Sequence, residues 1–176
     1  MGYGMKKNQI VTAKSTSLIL GKSKSLMGLT KKILEGKSKE LSTHEGITII
    51  GDLMWEEESR QMNWYEAMEY AKNLRLGGYD NWRLPTIEEL KKIVTLCDGV
   101  NIIFRDDNWE EIRDKNIANE TYQTNYKSKG FDSLGYWSST TLVSNEDRAR
   151  YIFFYRGDEN GGHKKNYFPV RCVRAG

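Results

Sequence analysis

The sequence predicts an α+β fold for residues 46–176, and three features that follow one another along the chain carry this prediction. An apolar, β-branched run bounded by glycines comes first and is typical of a strand. Two segments with apolar residues at helical spacing follow, each with its own capping signal. From residue 136 the chain returns to short alternating stretches, which are typical of antiparallel strands.

The first strand is predicted within the run from Gly46 to Trp55, which contains three isoleucines and a threonine. At the other end of the chain, Val170–Arg174 alternates apolar and basic residues. We expect strand Ile47–Leu53 to pair with Val170–Arg174, which would close the domain by joining its two ends.

Two helices are predicted next. The first covers Asn63–Leu76, where Asn63 and Glu66 form a capping box and Gly77-Gly78 supplies the stop. The second covers Thr86–Cys97, with Thr86 and Glu89 as its capping box.

The segment from Asp98 to Gly135 is long, polar and weakly periodic, so we expect irregular structure with one helical turn within 107–114. Three strands then follow, over Tyr136–Thr141, Ala149–Arg156 and Tyr167–Arg174. The glycine-rich stretch Asp158–Gly162 is predicted as the turn between the last two strands.

Charge separates the chain into a basic arm and an acidic body. Residues 1–50 carry nine lysines and three glutamates, a formal charge of +6. Residues 51–176 carry 18 basic and 21 acidic residues, a formal charge of −3. Nucleic-acid binding needs clustered positive charge, so we expect no nucleic-acid partner for the body.

We interpret residues 1–45 as a basic, partly helical N-terminal extension, and 46–176 as the folded domain. An amphipathic stretch lies within residues 25–34, where Leu26, Leu29 and Ile33 share one face. Residues 18–35 are therefore expected to mediate self-association or docking on a partner. No signal peptide is recognisable, so we expect a cytoplasmic protein, and export by a route without a signal stays open.

Catalytic and metal-binding patterns are lacking in the sequence. The two histidines, His44 and His163, and the two cysteines, Cys97 and Cys172, have no paired spacing. We therefore expect no metal, no cofactor and no enzymatic activity. The cysteines fall on a predicted helix and a predicted strand, and we expect both to be unpaired.

Three motifs in a fixed order carry a resemblance to a known family. They are Gly77-Gly78-Tyr79-Asp80-Asn81-Trp82-Arg83-Leu84-Pro85-Thr86, then Tyr136-Trp137-Ser138-Ser139-Thr140-Thr141, then Val170-Arg171-Cys172-Val173-Arg174. Together they strongly resemble the Lcl C-terminal domain family over about residues 46–176.

The resemblance implies a C-type-lectin-like fold, of the variant shared with formylglycine-generating enzyme. In that fold two helices pack on twisted antiparallel sheets, and the first and last strands pair. The motif residues Trp82, Arg83, Trp137 and Arg171 are then structural, with the two arginines paired within the core. Relatives include adhesin tips that bind sulfated polysaccharides and variable proteins of diversity-generating retroelements.

A ligand-binding face is predicted in the C-terminal part of the chain. Strand alternation buries Ile152 and Phe154 and turns Tyr151, Phe153 and Tyr155 to the other side. Polar residues near the following turn would complete the face: Arg156, Asp158, Asn160 and His163. Alternatively, these aromatic rings are covered by the Asp98–Gly135 segment or by the N-terminal arm.

Three hypotheses of function follow. The first is a non-enzymatic domain that recognises a protein or a glycan through this face, as in a retroelement-diversified variable protein. The second is a structural or oligomerising component attached through the basic arm. The third is an enzyme related to formylglycine-generating enzyme, which the isolated positions of Cys97 and Cys172 disfavour.

Overall fold

A computed structural model of the chain describes residues 45–103 and 108–176. Residues 18–35, where we predicted a docking segment with Leu26, Leu29 and Ile33, lie outside the described part. The strands are β1 (Ile47–Ile50), β2 (Leu53–Glu56), β3 (Arg60–Met62), β4 (Ile102–Ile103), β5 (Gly135–Leu142), β6 (Asn145–Phe153), β7 (Asp158–His163), β8 (Phe168–Val170) and β9 (Val173–Ala175). The helices are α1 (Trp64–Asn73), α2 (Ile87–Leu96), α3 (Trp109–Ala118) and α4 (Glu120–Ser128).

The described strands form three sheets, and with the helices they confirm the predicted α+β class. One sheet has the order β1-β2-β9, a second pairs β3 with β8, and the third has the order β4-β7-β6-β5. All pairs are antiparallel except β4 with β7. None of the helices in the described ranges is long and apolar enough to cross a membrane.

The two ends of the domain meet, but through a different strand from the one predicted. The glycine-bounded run folds back on itself at Gly51, whose φ of +65° is easy for glycine and strained for other residues. The run is therefore a hairpin of β1 and β2, and β2 is the strand that pairs with β9. Of the predicted strand Ile47–Leu53, only Leu53 pairs with β9, opposite Ala175.

Both predicted helices are present, because their capping boxes form as the sequence indicated. The Asn63 side chain accepts from the amide of Glu66, and the Glu66 carboxylate accepts from the amide of Asn63. Thr86 and Glu89 do the same at α2. Helix α1 ends at Asn73, earlier than predicted.

The prediction of irregular structure between Asp98 and Gly135 is wrong, since α3 and α4 occupy half of that stretch; the helical turn predicted within 107–114 coincides with the start of α3. The side chains that these helices bury are polar or amphipathic: Asn116 on α3, and Tyr122 and Tyr126 on α4. Without aliphatic residues at helical spacing, the sequence lacked the signal on which helix prediction depends.

The C-terminal strands also differ from the prediction. Asp158–Gly162, predicted as a turn, belongs to β7, and residues 154–157 make the turn instead, with Gly157 at a φ of +74°. The predicted strand Ala149–Arg156 is β6, which runs from Asn145 to Phe153. The predicted strand Tyr167–Arg174 is split between two sheets, as β8 and β9.

The four-stranded sheet lies between two apolar cores. The first core contains Ile152 and Phe154 together with residues of α2 and α4, and the second contains Ala149 and Trp137 together with residues of α1. Trp82 is buried in the second core as well, so both tryptophans of the family motifs are core residues, as expected.

Arg171 is a buried cation that ties three parts of the chain together. It is only 1% exposed. Its Nε donates to the carbonyl of Glu56 at 2.6 Å, its Nη1 donates to the carbonyl of Lys129 at 2.8 Å, and its guanidinium lies 4.4 Å from the Phe131 ring centre. Burial lowers its pKa. Arg171 is thus paired within the core, as the resemblance implied.

Glu56 completes this buried polar centre. Its carboxylate accepts hydrogen bonds from the Tyr70 hydroxyl and from the Cys172 amide.

Arg83 does not lie in the core, where the resemblance placed it, because its side chain is 46% exposed. Both its terminal nitrogens nevertheless bind the Glu89 carboxylate, at 2.7 and 2.6 Å, so the pairing that we expected is present.

We predict that Arg171→Ala destabilises the domain by about 3–5 kcal/mol, because the carbonyls of Glu56 and Lys129 lose their donors within the core. Urea denaturation of the full chain measures the change. Arg75→Ala is the control, since Arg75 is exposed and donates to the nearby carbonyls of Lys72 and Leu74. A loss below about 1 kcal/mol for Arg171→Ala would contradict this role.

Candidate functional site

Five of the predicted site residues come together where β6 turns into β7. The strand register places Tyr151 opposite Asn160 and Phe153 opposite Asp158, so these four side chains share one face of the sheet. Arg156, in the turn, reaches back onto the same face through contacts with Phe153 and Asp158. We call Tyr151, Phe153, Arg156, Asp158 and Asn160 the recognition face.

Tyr151 is more deeply placed than the prediction assumed. Its ring packs against Trp137 and Phe168, with centroid distances of 5.8 and 4.5 Å. Gly135 and Gly162 leave room for the ring, since a Cβ at either position would come within 2.8 or 3.1 Å of it. The Tyr151 ring is therefore partly buried against the second core, where Trp137 and Phe168 cover it.

Asp158 is a buried carboxylate at the centre of the face. It is 2% exposed, and both oxygens are engaged: Oδ1 accepts from Arg156 Nε at 3.1 Å, and Oδ2 accepts from Asn160 Nδ2 at 2.8 Å. Burial raises the pKa of this carboxyl group, and Arg156 opposes the rise. A raised pKa means that the charged form costs folding free energy.

Arg156 is held on two sides but stays accessible. Its guanidinium carbon lies 4.6 Å from the centre of the Phe153 ring, within the range of a cation–π contact. The Asp158 carboxylate fixes Nε. About a third of the side chain, 35%, remains exposed. The face thus presents a planar cation in a defined orientation.

The turn that carries Arg156 is clamped from behind by the helical pair. Three consecutive carbonyls each accept a hydrogen bond from a side chain of α3 or α4. Tyr122 donates its hydroxyl to Phe154, Gln123 donates to Tyr155 at 2.9 Å, and Asn116 donates to Arg156 at 2.8 Å. We call these three donors the carbonyl clamp.

The clamp is tightly packed as well as hydrogen-bonded. Asn116 is 1% exposed and also exchanges two hydrogen bonds with the backbone of Val100. A Cβ at Gly157 would come within 2.5 Å of the Asn116 amide nitrogen. Only glycine therefore fits at this position, on steric grounds as well as for its positive φ.

The other two predicted site residues stand apart from the face. Tyr155 lies beyond the end of β6, in the turn, and is 41% exposed. His163 pairs with Arg148, and strand alternation places it on the side of β7 opposite Asn160. It is exposed, and its Nδ1 accepts from the Lys165 amide at 3.4 Å.

The carbonyl clamp was missed by the sequence analysis. Nothing in the sequence of Asn116 or Gln123 distinguishes them from surface residues of a polar stretch. A weaker signal was available in Gly157, because a glycine that follows an apolar strand and precedes an aspartate is typical of a turn.

The histidine, cysteine, aspartate and glutamate side chains of the described ranges form no group of three that could hold a metal ion.

Both cysteines are buried, and neither forms a disulfide, which confirms the prediction that they are unpaired. Burial raises the pKa of both thiols. Since the thiolate is the reactive form of cysteine, both side chains are poor nucleophiles in the folded protein.

A comparison with protein-family models places residues 50–174 within the Lcl C-terminal domain family. The chain belongs to this family. The match covers all described elements from the end of β1 to β9, including the whole recognition face of this Lcl C-terminal domain. A search of curated proteins found no match.

We predict that Tyr151→Ala costs about 2–4 kcal/mol of stability, because it empties the space between Trp137 and Phe168. Tyr155→Ala is the matched control in the same segment and should change stability by less than about 0.5 kcal/mol, as an exposed residue. Thermal and urea unfolding measure both. Equal effects of the two substitutions would show that Tyr151 is not a packing residue.

We also predict that Asp158→Asn changes stability in a pH-dependent way. Because the folded-state pKa is raised, the wild-type carboxyl group favours folding while it is protonated, and this contribution is lost as the pH rises through that pKa. The side-chain amide of the Asp158→Asn variant does not titrate, so its contribution to stability does not change with pH. The melting temperature of the variant minus that of the wild type should therefore become more positive between about pH 3 and pH 7. A difference that stays constant or falls would contradict the raised pKa.

Proposed function

We propose that this Lcl C-terminal domain is a non-enzymatic recognition domain that binds a protein or a glycan through the recognition face. We further propose that its fold is C-type-lectin-like, with the arrangement of the retroelement-diversified variable proteins, in which C-terminal strands and turns carry the binding residues. The position of the face on β6, β7 and their turn supports this proposal.

The observation that carries the proposal is the arrangement of Asp158 and Arg156. A buried carboxylate with a raised pKa works against folding, yet here it serves to orient a half-exposed arginine. Groups that cost stability and have shifted pKa values occur preferentially at functional sites. A purely structural face would be expected to use apolar side chains at these positions.

The chemistry of the face favours binding over catalysis. Its carboxylate is buried, and each of its oxygens accepts a hydrogen bond from a neighbouring side chain, so it is poorly placed to take a proton from a ligand as a general base must. Its remaining groups are an arginine, an amide and two aromatic rings, which are typical of binding hot spots. The buried thiols of Cys97 and Cys172 count against the alternative of a formylglycine-generating type of enzyme.

The proposal is tested by screening the full chain against an immobilised glycan panel and a displayed random-peptide library. Each ligand found is then titrated against Phe153→Ser and Arg156→Gln. We expect either substitution to weaken binding by about tenfold or more, as for hot-spot residues, while the melting temperature stays within a few degrees of wild type.

Two exposed residues outside the face provide controls of matching chemistry. Tyr65→Ser removes an aromatic ring that is 51% exposed on α1, and Arg75→Gln removes an exposed arginine. Both should leave binding unchanged. Ligands that respond to these controls and not to the face variants would place the binding site elsewhere, and a screen without any ligand would count against a recognition function.

A further inference from the structure

The terminal nitrogens of Arg156 identify the kind of chemical group that the recognition face takes. Only Nε of this side chain has a partner in the described ranges, the Asp158 carboxylate. Nη1 and Nη2 have no hydrogen-bond partner among residues 45–103 and 108–176. They form the outer edge of a guanidinium that the Phe153 ring and Asp158 already hold in place.

We infer that this edge binds a single carboxylate of a protein partner, with each Nη donating to one carboxylate oxygen. The inference rests on the proposed function and specifies its ligand. A guanidinium fork matches a carboxylate in a bidentate arrangement of two parallel, charge-assisted hydrogen bonds. Because the side chain is fixed before binding, little rotamer entropy is lost when the ligand arrives.

The electrostatic surroundings favour one isolated carboxylate over a polyanion. Asp158 already offsets part of the Arg156 charge, and residues 51–176 carry a net formal charge of −3. Among the described arginines of β6 and α3, Arg113 pairs with Asp114, Arg150 pairs with Glu159, and Arg148 donates to the carbonyl of Gly161. A chain of closely spaced anionic groups would therefore meet no cluster of unpaired arginines on these described elements, and the net negative charge of residues 51–176 would repel it.

The aromatic groups favour a protein over a sugar as the carrier of the carboxylate. A pyranose ring packs its C–H face flat on an open aromatic surface. Here Arg156 covers one face of Phe153, and Phe168 packs on Tyr151 at 4.5 Å with an interplanar angle of 33°. These two rings therefore support Arg156 and the core, and the contacts on their faces leave little flat surface for a sugar ring.

The test is an NMR titration of the full ¹⁵N-labelled chain at constant ionic strength, which follows the Nε–H signal of Arg156 and the amide of Gly157. The probes are acetyl-glutamate amide, its neutral counterpart acetyl-glutamine amide, and glucuronate. We expect saturable shifts with acetyl-glutamate amide, no shifts with acetyl-glutamine amide, and weaker binding of glucuronate.

Variants of Arg156 distinguish the contribution of its two terminal nitrogens from the contribution of its positive charge. Arg156→Lys keeps the charge and loses the fork, and we expect it to weaken binding of acetyl-glutamate amide by about tenfold, or about 1.4 kcal/mol. Arg156→Gln should abolish the shifts of Gly157. Arg148→Gln, on the strand β6 that precedes this turn, should leave the titration unchanged.

Three results would overturn the inference: equal shifts with the glutamine probe, unchanged binding in Arg156→Gln, or tighter binding of glucuronate than of acetyl-glutamate amide. A failure of this inference can be distinguished from a failure of the proposed function. If a ligand from the screen loses affinity with Phe153→Ser but binds Arg156→Gln as well as wild type, the face is a binding site and its ligand group is not a carboxylate.

Discussion

The turn between β6 and β7 is fixed by the carbonyl clamp, in which Tyr122, Gln123 and Asn116 each bind one of three successive backbone carbonyls. A surface turn normally leaves such carbonyls to water and keeps some freedom of movement. Here the helical pair α3–α4 removes that freedom during folding. The orientation of Arg156 therefore follows from the packing of two helices that make no contribution of their own to the recognition face.

The clamp is connected to the buried polar centre around Arg171 through aromatic packing. The Phe154 ring lies 4.4 Å from the ring centre of Phe131, and the Arg171 guanidinium lies 4.4 Å from the same Phe131 ring. The chain ends that Arg171 ties together and the turn that carries Arg156 thus rest on one aromatic cluster. The closing strands and the recognition face are thus supported by the same close-packed cluster.

The elements that the sequence predicted correctly are those with local signals. Helices α1 and α2 have capping boxes and apolar faces, and β5 is rich in aromatic residues and threonine, which favour strands. Helices α3 and α4 escaped prediction because their buried residues are an asparagine and tyrosines, whose burial depends on partners distant in sequence. Strand β7 has the composition of a turn, but its glycines make room for neighbouring side chains: Gly162 lies against aromatic rings and Gly161 against Leu142.

In the recognition face, too, the features with local sequence signals were predicted correctly, and those that depend on contacts between distant parts of the chain were not. Alternation along β6 was enough to place Tyr151 and Phe153 on one side and Ile152 on the other. The burial of Asp158 was not predictable, because it follows from the register between β6 and β7 and from the position of Gly157. His163 was assigned to the face from its nearness in sequence, and the period of two in a strand places it on the other side.

Arg156 is ordered before any ligand binds, because Phe153, Asp158 and the carbonyl clamp fix its side chain and its turn. The order parameter of its Nε–H bond vector, from ¹⁵N relaxation of the free full chain, measures this order. We expect a value near that of rigid backbone, about 0.85, for Arg156, and a clearly lower value for the exposed Arg75. A value for Arg156 below about 0.6, as in flexible segments, would contradict the claim that Phe153, Asp158 and the carbonyl clamp hold this side chain in place.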